Sequence, residues 1–219
     1  GLKRSQQMFA DLNKYAVKPT RSLGVLYDHQ DPVAELVRDL MVKVPLFRDR
    51  IDKERTTVSH RSTNILTLSA VYQATRALLG KTKKLETVNH KEANLALEFW
   101  SLLPDHIPEW KMLLQGKMAS IDLRKNYVHS HGVILQALGA AGHTLITRYP
   151  GEWKTRLAKI EEIDWSRANP EWEGRAIIGG RLSKAFMNVL LATNYIKKVL
   201  DLSLTVEEQK VENSHLGVK

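Results

Sequence analysis

Histidine, carboxylate and glycine are the residue types left to carry chemistry here, because the chain contains no cysteine. That excludes thiol nucleophiles, disulfide scaffolds and Cys-based zinc or iron–sulfur sites. The triplet His129-Ser130-His131, with His143 beyond it, invites a metal reading. On a helix, residues two apart point about 200° apart, and His143 would lie about 21 Å along the axis from His129. The spacing predicts cap or core-edge histidines and no metal site. Gly179-Gly180-Arg181-Leu182-Ser183-Lys184 could offer backbone amides to a phosphate at the start of a helix. It lacks the G-x-x-x-x-G-K-S/T pattern and an upstream strand, so it reads as a tight turn with Ser183 near the cap. No G-x-S-x-G elbow occurs, and the acidic pairs Glu161-Glu162 and Glu207-Glu208 sit in solvated contexts. No nucleophile stands beside a base. The expectation is no catalytic residues, no cofactor and no enzyme activity.

The segment from Trp165 to Arg175 carries a different signal. Its two tryptophans, with Asn169-Pro170 and Gly174 among them, make a poor helix and a costly loop. Such a loop is expected to be structural, with Trp165 and Trp172 anchored in the core while Asn169 and Arg175 hydrogen-bond its backbone. Stacking of an exposed indole on a base is the alternative.

Charge points outward. The 219 residues carry 33 Lys+Arg against 24 Asp+Glu, a formal net charge of +9. Between Thr56 and Leu85 stand Arg61, Arg76, Lys81, Lys83 and Lys84 with no carboxylate, whereas from Asn126 onward 12 cations face 10 anions. This asymmetry favours a polyanionic partner such as nucleic acid. A solvated lysine loop is the bland alternative. No run approaches ~18 uninterrupted apolar residues, so no membrane span is expected. The opening Gly1-Leu2-Lys3-Arg4-Ser5 lacks an apolar signal core, which points to the cytoplasm.

The elements that would position these residues are helices. Apolar periodicity predicts them over Leu2–Tyr15, Arg21–Asp28, Pro32 to just before Pro45, Ser62 or Thr63 to Gly80, His90–Leu103, Pro108–Gln115, Asn126–Tyr149, Glu152–Ile163 and Leu182–Leu200. Asp31-Pro32 is an N-cap followed by proline at the first helical position. Phe47–His60 reads as a loop. Gly139 and Gly142 each cost a helix about 1 kcal/mol relative to alanine, so close packing against a neighbouring helix is expected to offset them. The fold class is all-α, about eight to nine helices. They form one domain over 1–204, or two lobes over 1–85 and 86–204, and a frayed polar tail follows over 205–219.

The opening Leu2-Lys3-Arg4-Ser5-Gln6-Gln7-Met8-Phe9-Ala10-Asp11-Leu12-Asn13-Lys14 and then Ser22-Leu23-Gly24-Val25-Leu26-Tyr27-Asp28 resemble the DndB proteins of bacterial DNA phosphorothioate modification. The resemblance continues through Arg61-Ser62-Thr63-Asn64-Ile65-Leu66-Thr67-Leu68-Ser69-Ala70-Val71-Tyr72 and the Trp165–Arg175 segment, to about Leu204. The Asp-Gly-Gln-His-Arg motif that names the wider group is absent, so the chain is expected to be the helical C-terminal part of a longer protein. The resemblance implies a regulator that binds the promoter of the modification genes as a repressor, with double-stranded DNA and other DNA sulfur modification proteins as partners.

Resemblance and charge together nominate Lys3, Arg4, Lys14 and Arg21 as one group of DNA contacts. Arg61, Arg76, Lys81, Lys83 and Lys84 form a second, with Arg124 and Lys125 as lesser additions. No helix-turn-helix signature appears, and the Ser62–Leu79 helix is the best groove-entering element. Two other readings remain. One is a protein-interaction module using Gly139, Gly142 and the Leu182–Leu200 stripe. The other is an NTP-hydrolysing component once joined to a ParB-like N-terminal half.

Overall fold

The computed structural model describes residues 2–14, 18–59, 61–183 and 185–217. Tyr15, Lys184 and the side chains of Phe9, Leu12 and Lys14 lie outside the described residues. Eleven α-helices occur among them, above the eight to nine expected, with four strands of two residues each.

The centre is a pair of helices, α4 (Leu68–Leu78) and α8 (Gly132–Arg148), which bury Val71, Ala74, Leu78, Ile134, Ala137, Leu138 and Ala141. Their backbones approach closely because of glycine. A Cβ on Gly139 would stand 2.2 Å from the Ala74 carbonyl oxygen, and one on Gly142 would stand 2.5 Å from Phe99 Cζ. The helix cost of these glycines is thus offset by contact. The Gly139 and Gly142 face, which the sequence offers to a partner protein, is thus internal.

The chain opens with α1 (Leu2–Lys14), and around the central pair lie α2 (Arg21–Tyr27), α3 (Pro32–Lys43), α5 (His90–Leu102), α6 (Pro108–Leu114), α7 (Ser120–Asn126) and α9 (Trp153–Leu157). Asp31 caps α3 by accepting from the Val33 and Ala34 amides at 2.8 and 3.3 Å, and it also accepts the Tyr72 hydroxyl from α4. Burial, then that hydrogen bond, pushes the Tyr72 pKa up to about 12.

Several boundaries differ from the sequence expectation, each through tertiary pairing. The Asn126–Tyr149 helix is broken. Residues 127–131 leave the helix because Tyr127 bridges to Ser166 and the Val128 amide donates to the Trp165 carbonyl at 3.0 Å. The helix expected from Ser62 begins at Leu68, since β2 (Leu66–Thr67) pairs in parallel with β1 (Ile51–Asp52). The one expected from Leu182 begins at Phe186 as α10 (Phe186–Val199), preceded by a hairpin of β3 (Ile177–Ile178) and β4 (Arg181–Leu182). The Glu152–Ile163 helix tightens into a 3-10 turn over Ala158–Glu162.

The expected frayed tail instead contains α11 (Val206–Leu216), opened by a capping box between Thr205 and Glu208 and tied down by the buried Glu212. No helix among the described residues is long and apolar enough to cross a membrane.

Candidate nucleic-acid interface

Three exposed cations, Lys53, Arg55 and Arg61, lie on the loop between β1 and β2. Its ends are closed by the Ile51–Leu66 and Asp52–Thr67 pairs and by the Ile65 amide donating to the Arg50 carbonyl at 2.8 Å. On one flank Asp52 Oδ1 accepts from the Glu54 and Arg55 amides at 3.1 and 2.8 Å, a local turn built by a short carboxylate. The start of α2 docks on that turn: Thr20 Oγ1 donates to the Glu54 carbonyl, and Ser22 Oγ to the Arg55 carbonyl at 2.6 Å. On the other flank the Arg124 guanidinium donates to the Asn64 carbonyl, and to the Ser59 carbonyl at 3.1 Å.

Lys53, Arg55 and Arg61 are exposed between these hydrogen-bonded flanks, and Arg21 is exposed at the start of the docked α2. A cleft of about 420 Å³ is lined by Pro45, Arg48, Asp49, Arg50, Thr63 and Ser120. Arg48 Nε donates to the Val42 carbonyl at 3.1 Å, and Arg50 Nη1 to the Pro45 and Arg48 carbonyls at 3.2 Å each. Both guanidinia are oriented by the chain's own backbone.

Pairing with carboxylates divides the molecule. From Lys18 to Arg61, Lys43 is the cation that meets a carboxylate among the described residues, Asp39 at 2.8 Å. Towards the C-terminus Lys154, Arg156, Lys159, Arg175, Lys197 and Lys198 are each ion-paired. Among the described residues, most cations between Lys18 and Arg61 are therefore without a carboxylate partner.

The nominated DNA contacts fall into three places. Lys3 and Arg4 are exposed on α1, which Lys14 closes. Arg21 and Arg61 belong to the clamped-loop region. Arg76, Lys81, Lys83 and Lys84 lie at the opposite end of α4, about 16 Å away at ~1.5 Å per residue. The Thr56–Leu85 stretch is thus not one patch.

At that far end Lys81 is bound by Glu92 at 2.6 Å and half-buried. Arg76 donates to the Lys83 carbonyl at 3.0 Å and lies 5.7 Å from the Tyr72 ring centroid. The Lys83 and Thr82 amides donate to the Glu86 carboxylate, and these bonds hold its pKa below the usual value. Only the Lys83 and Lys84 ammonium groups remain exposed there. Arg124 is 8% exposed and serves the loop rather than solvent, which corrects its reading as a phosphate contact. The groove-entering role for α4 also fails, because neighbouring helices cover it on the faces of Leu68, Val71, Tyr72, Ala74, Thr75 and Leu78.

Arg48, Arg50, Lys53 and Arg55 were not legible as a group. Asp49, Asp52 and Glu54 interleave with them and nearly cancel the local charge count. Asp52 is spent on backbone amides, which the composition does not reveal.

The remaining candidates are structural in geometry. Trp165 and Trp172 are buried and stacked with centroids 5.5 Å apart, and Trp172 Nε1 donates to the Asp164 carbonyl at 2.9 Å. Asn169 Nδ2 donates to that same carbonyl at 2.8 Å. Arg175 is buried against Glu212. The three histidines serve separate neighbours: His129 meets Glu109 at 3.3 Å, His131 meets the Arg124 carbonyl at 3.2 Å, and His143 meets the Leu78 carbonyl at 3.0 Å. Complete burial of His129 pushes its pKa down despite Glu109.

A family model described as DNA-sulfur modification-associated, DndB, matches residues 1–203. The chain belongs to the DndB family. Membership places it among proteins associated with DNA sulfur modification, and the match spans the whole clamped loop and the Trp165–Arg175 segment. No curated protein and no solved structure matches the chain.

Proposed function

We propose that this DndB-family chain is a cytoplasmic DNA-binding regulator that represses the DNA modification genes by holding their promoter duplex. One observation carries the reading: Lys53, Arg55 and Arg61 stand exposed and without carboxylate partners on a loop whose backbone is hydrogen-bonded on both flanks. Cations fixed in this way displace condensed counterions from phosphates at little ordering cost. Arg21, Arg48 and Arg50 extend the same surface. In this reading the chain does no chemistry on the duplex; its most perturbed histidine, His129, is sealed from solvent.

The test is fluorescence anisotropy of a labelled promoter duplex titrated with the chain across salt concentrations. Log affinity is expected to fall linearly with log salt, at a slope of about −0.9 per phosphate contacted. Replacing Lys53, Arg55 and Arg61 together by Gln is expected to weaken binding to all sequences and flatten the slope by about three contacts. Undetectable binding by the wild-type chain at ~50 mM salt, where phosphate contacts are strongest, overturns the proposal.

A further inference from the structure

Three cations gather at one place on α10 and the loop before it, and the carboxylates that fill the space between them come from α11. Asn194, Lys197 and Lys198 stand at i, i+3 and i+4 on α10, hence on one face. Arg175 grips the Glu212 carboxylate with both terminal nitrogens of its guanidinium. Lys198 Nζ reaches the same carboxylate at 2.7 Å, and Lys197 Nζ reaches Glu208, one turn earlier on α11, at 2.5 Å. Asn194 Nδ2 donates to the Glu208 carbonyl at 3.0 Å and to Glu212 Oε2 at 3.4 Å. A guanidinium that holds a carboxylate through two parallel bonds holds a phosphate with the same fork.

The contacts that seat α11 are polar. Glu212 is its buried residue, while Val206 and Leu216 are 67% and 55% exposed. A helix docked through charge rather than apolar area is open to displacement by a competing polyanion. The fit is also incomplete: Asn194 is fully buried, yet its Oδ1 has no hydrogen-bond partner. The family match ends at residue 203, so Arg175, Asn194, Lys197 and Lys198 lie inside it and both carboxylates of α11 lie beyond it. Glu171 is the other carboxylate paired with these cations among the described residues, at 3.8 Å from Arg175 Nε. With α11 seated, three cations face three carboxylates; with α11 lifted, three face one.

We infer that Arg175, Asn194, Lys197 and Lys198 form a second site for backbone phosphates of duplex DNA, covered in the free chain by α11, whose Glu208 and Glu212 take the place of phosphates. The inference rests on the DNA-binding reading above and adds to it a contact that opens when the duplex displaces α11. A duplex has the advantage over an acidic protein segment. It brings a continuous row of phosphates and gains from counterion release, whereas another acidic helix repeats the contacts of α11.

The experiment uses the full chain and the labelled promoter duplex, read by hydrogen exchange and by anisotropy. In wild type, saturating duplex is expected to speed exchange across residues 206–216 about tenfold, the reverse of the protection that a bound ligand gives where it covers the chain. Glu212→Gln loosens the cover. It is expected to tighten duplex binding about tenfold at ~50 mM salt and to steepen the salt slope by about 0.9 per phosphate gained. Adding Lys197→Gln and Lys198→Gln is expected to cancel that gain. Glu207→Gln removes the same charge from α11 at an exposed residue that is in no ion pair among the described residues, and is expected to change affinity by less than about twofold. If Glu212→Gln does not fold, the exchange measurement on wild type carries the test.

Duplex binding that leaves α11 protected, or that a folded Glu212→Gln does not tighten, overturns the covered site and leaves the DNA-binding reading standing. Binding by Glu212→Gln with none by wild type keeps the covered site and overturns the exposed-loop reading. Absence of binding by either chain overturns both. Release of α11 by pyrophosphate or by a polyglutamate peptide, with none by the duplex, assigns the cations to a free phosphate or an acidic partner and overturns the duplex as occupant.

Discussion

Arg175 and Glu212 meet through two parallel hydrogen bonds, Nη1 to Oε2 at 2.9 Å and Nη2 to Oε1 at 2.7 Å, with both side chains buried. The pair joins the tryptophan-anchored loop to α11, while Lys198 adds a second cation to the same carboxylate at 2.7 Å. A buried pair of this geometry is costly to break, because the surviving charge is stranded in the core. Glu212→Gln and Arg175→Ala are each expected to destabilise the chain by about 3–5 kcal/mol. Urea unfolding reads the loss, and hydrogen exchange is expected to show α11 losing protection first. A loss under about 1 kcal/mol would mean that this pair does not hold α11.

The same carboxylate sets an acid limit. Burial alone would raise its pKa, but hydrogen bonds from Arg175 and Lys198 outweigh burial and hold it at about 2, against 4.5 for a free glutamate. A depressed native pKa means that the unfolded chain binds more protons between those values. Stability is therefore full above pH 4.5 and falls as pH drops towards 2, by about 3 kcal/mol from this group at about 1.4 kcal/mol per unit. Unfolding midpoints across pH 2–5 are expected to show the fall in wild type and a shallower one in Glu212→Gln.

At the α4–α8 contact, Gly139→Ala would place a methyl group 2.2 Å from the Ala74 carbonyl oxygen. Alanine is the better helix former by about 1 kcal/mol, yet the clash is with backbone and cannot be relieved by a rotamer change. The expected net effect is destabilisation by about 1–3 kcal/mol, the cost of overpacking. Thermal unfolding checks the sign, and a raised midpoint would show that the helices separate freely.

Lys81, nominated by its place in a lysine run, is expected to be silent towards DNA. Its ammonium is bound to Glu92 at 2.6 Å. Lys81→Gln should leave anisotropy-measured affinity within about twofold, while Lys83→Gln with Lys84→Gln weakens it in proportion to two exposed charges. Equal losses in the two variants would show that Lys81 leaves Glu92 to meet the duplex.

Periodicity and capping made the helical class and the buried faces of α3 and α4 legible, since Asp31-Pro32 and the Val33, Leu36, Val37, Leu40 spacing depend only on neighbours in sequence. The boundaries that failed are those where distant backbone intervened. Residues 127–131 break a strong helical pattern because the Trp165 segment pairs with them, and no local rule reports a partner so far along the chain. The docked tail is different. Thr205-Val206-Glu207-Glu208 spells a capping box that was there to be read, but the polar composition after it concealed a helix held by one buried glutamate. For the interface, the charge count pointed to the Thr56–Leu85 stretch. It could not separate free arginines such as Arg55 from cations consumed within the fold, such as Lys81 and Arg124.

Arg124 provides the sharpest link between fold and interface. Its guanidinium spans the Asn64 and Ser59 carbonyls, so one side chain from α7 holds the far flank of the loop that carries Arg61. Burial lowers its pKa, but guanidinium stays protonated and its donors remain committed. Arg124→Ala leaves two carbonyls without that donor, at a cost of about 1–3 kcal/mol. It also releases the Ser59–Asn64 backbone, so that Arg61 must be ordered anew on each binding event. Two readouts are expected to move together: faster proteolytic nicking within residues 56–63, and weaker duplex binding despite the loss of a group that contacts no phosphate. Arg124→Lys restores the charge and a single donor, and it is expected to recover only part of each. If Arg124→Lys restored affinity fully while nicking stayed fast, Arg124 would act through its charge alone, and the ordered loop would not be what the duplex requires.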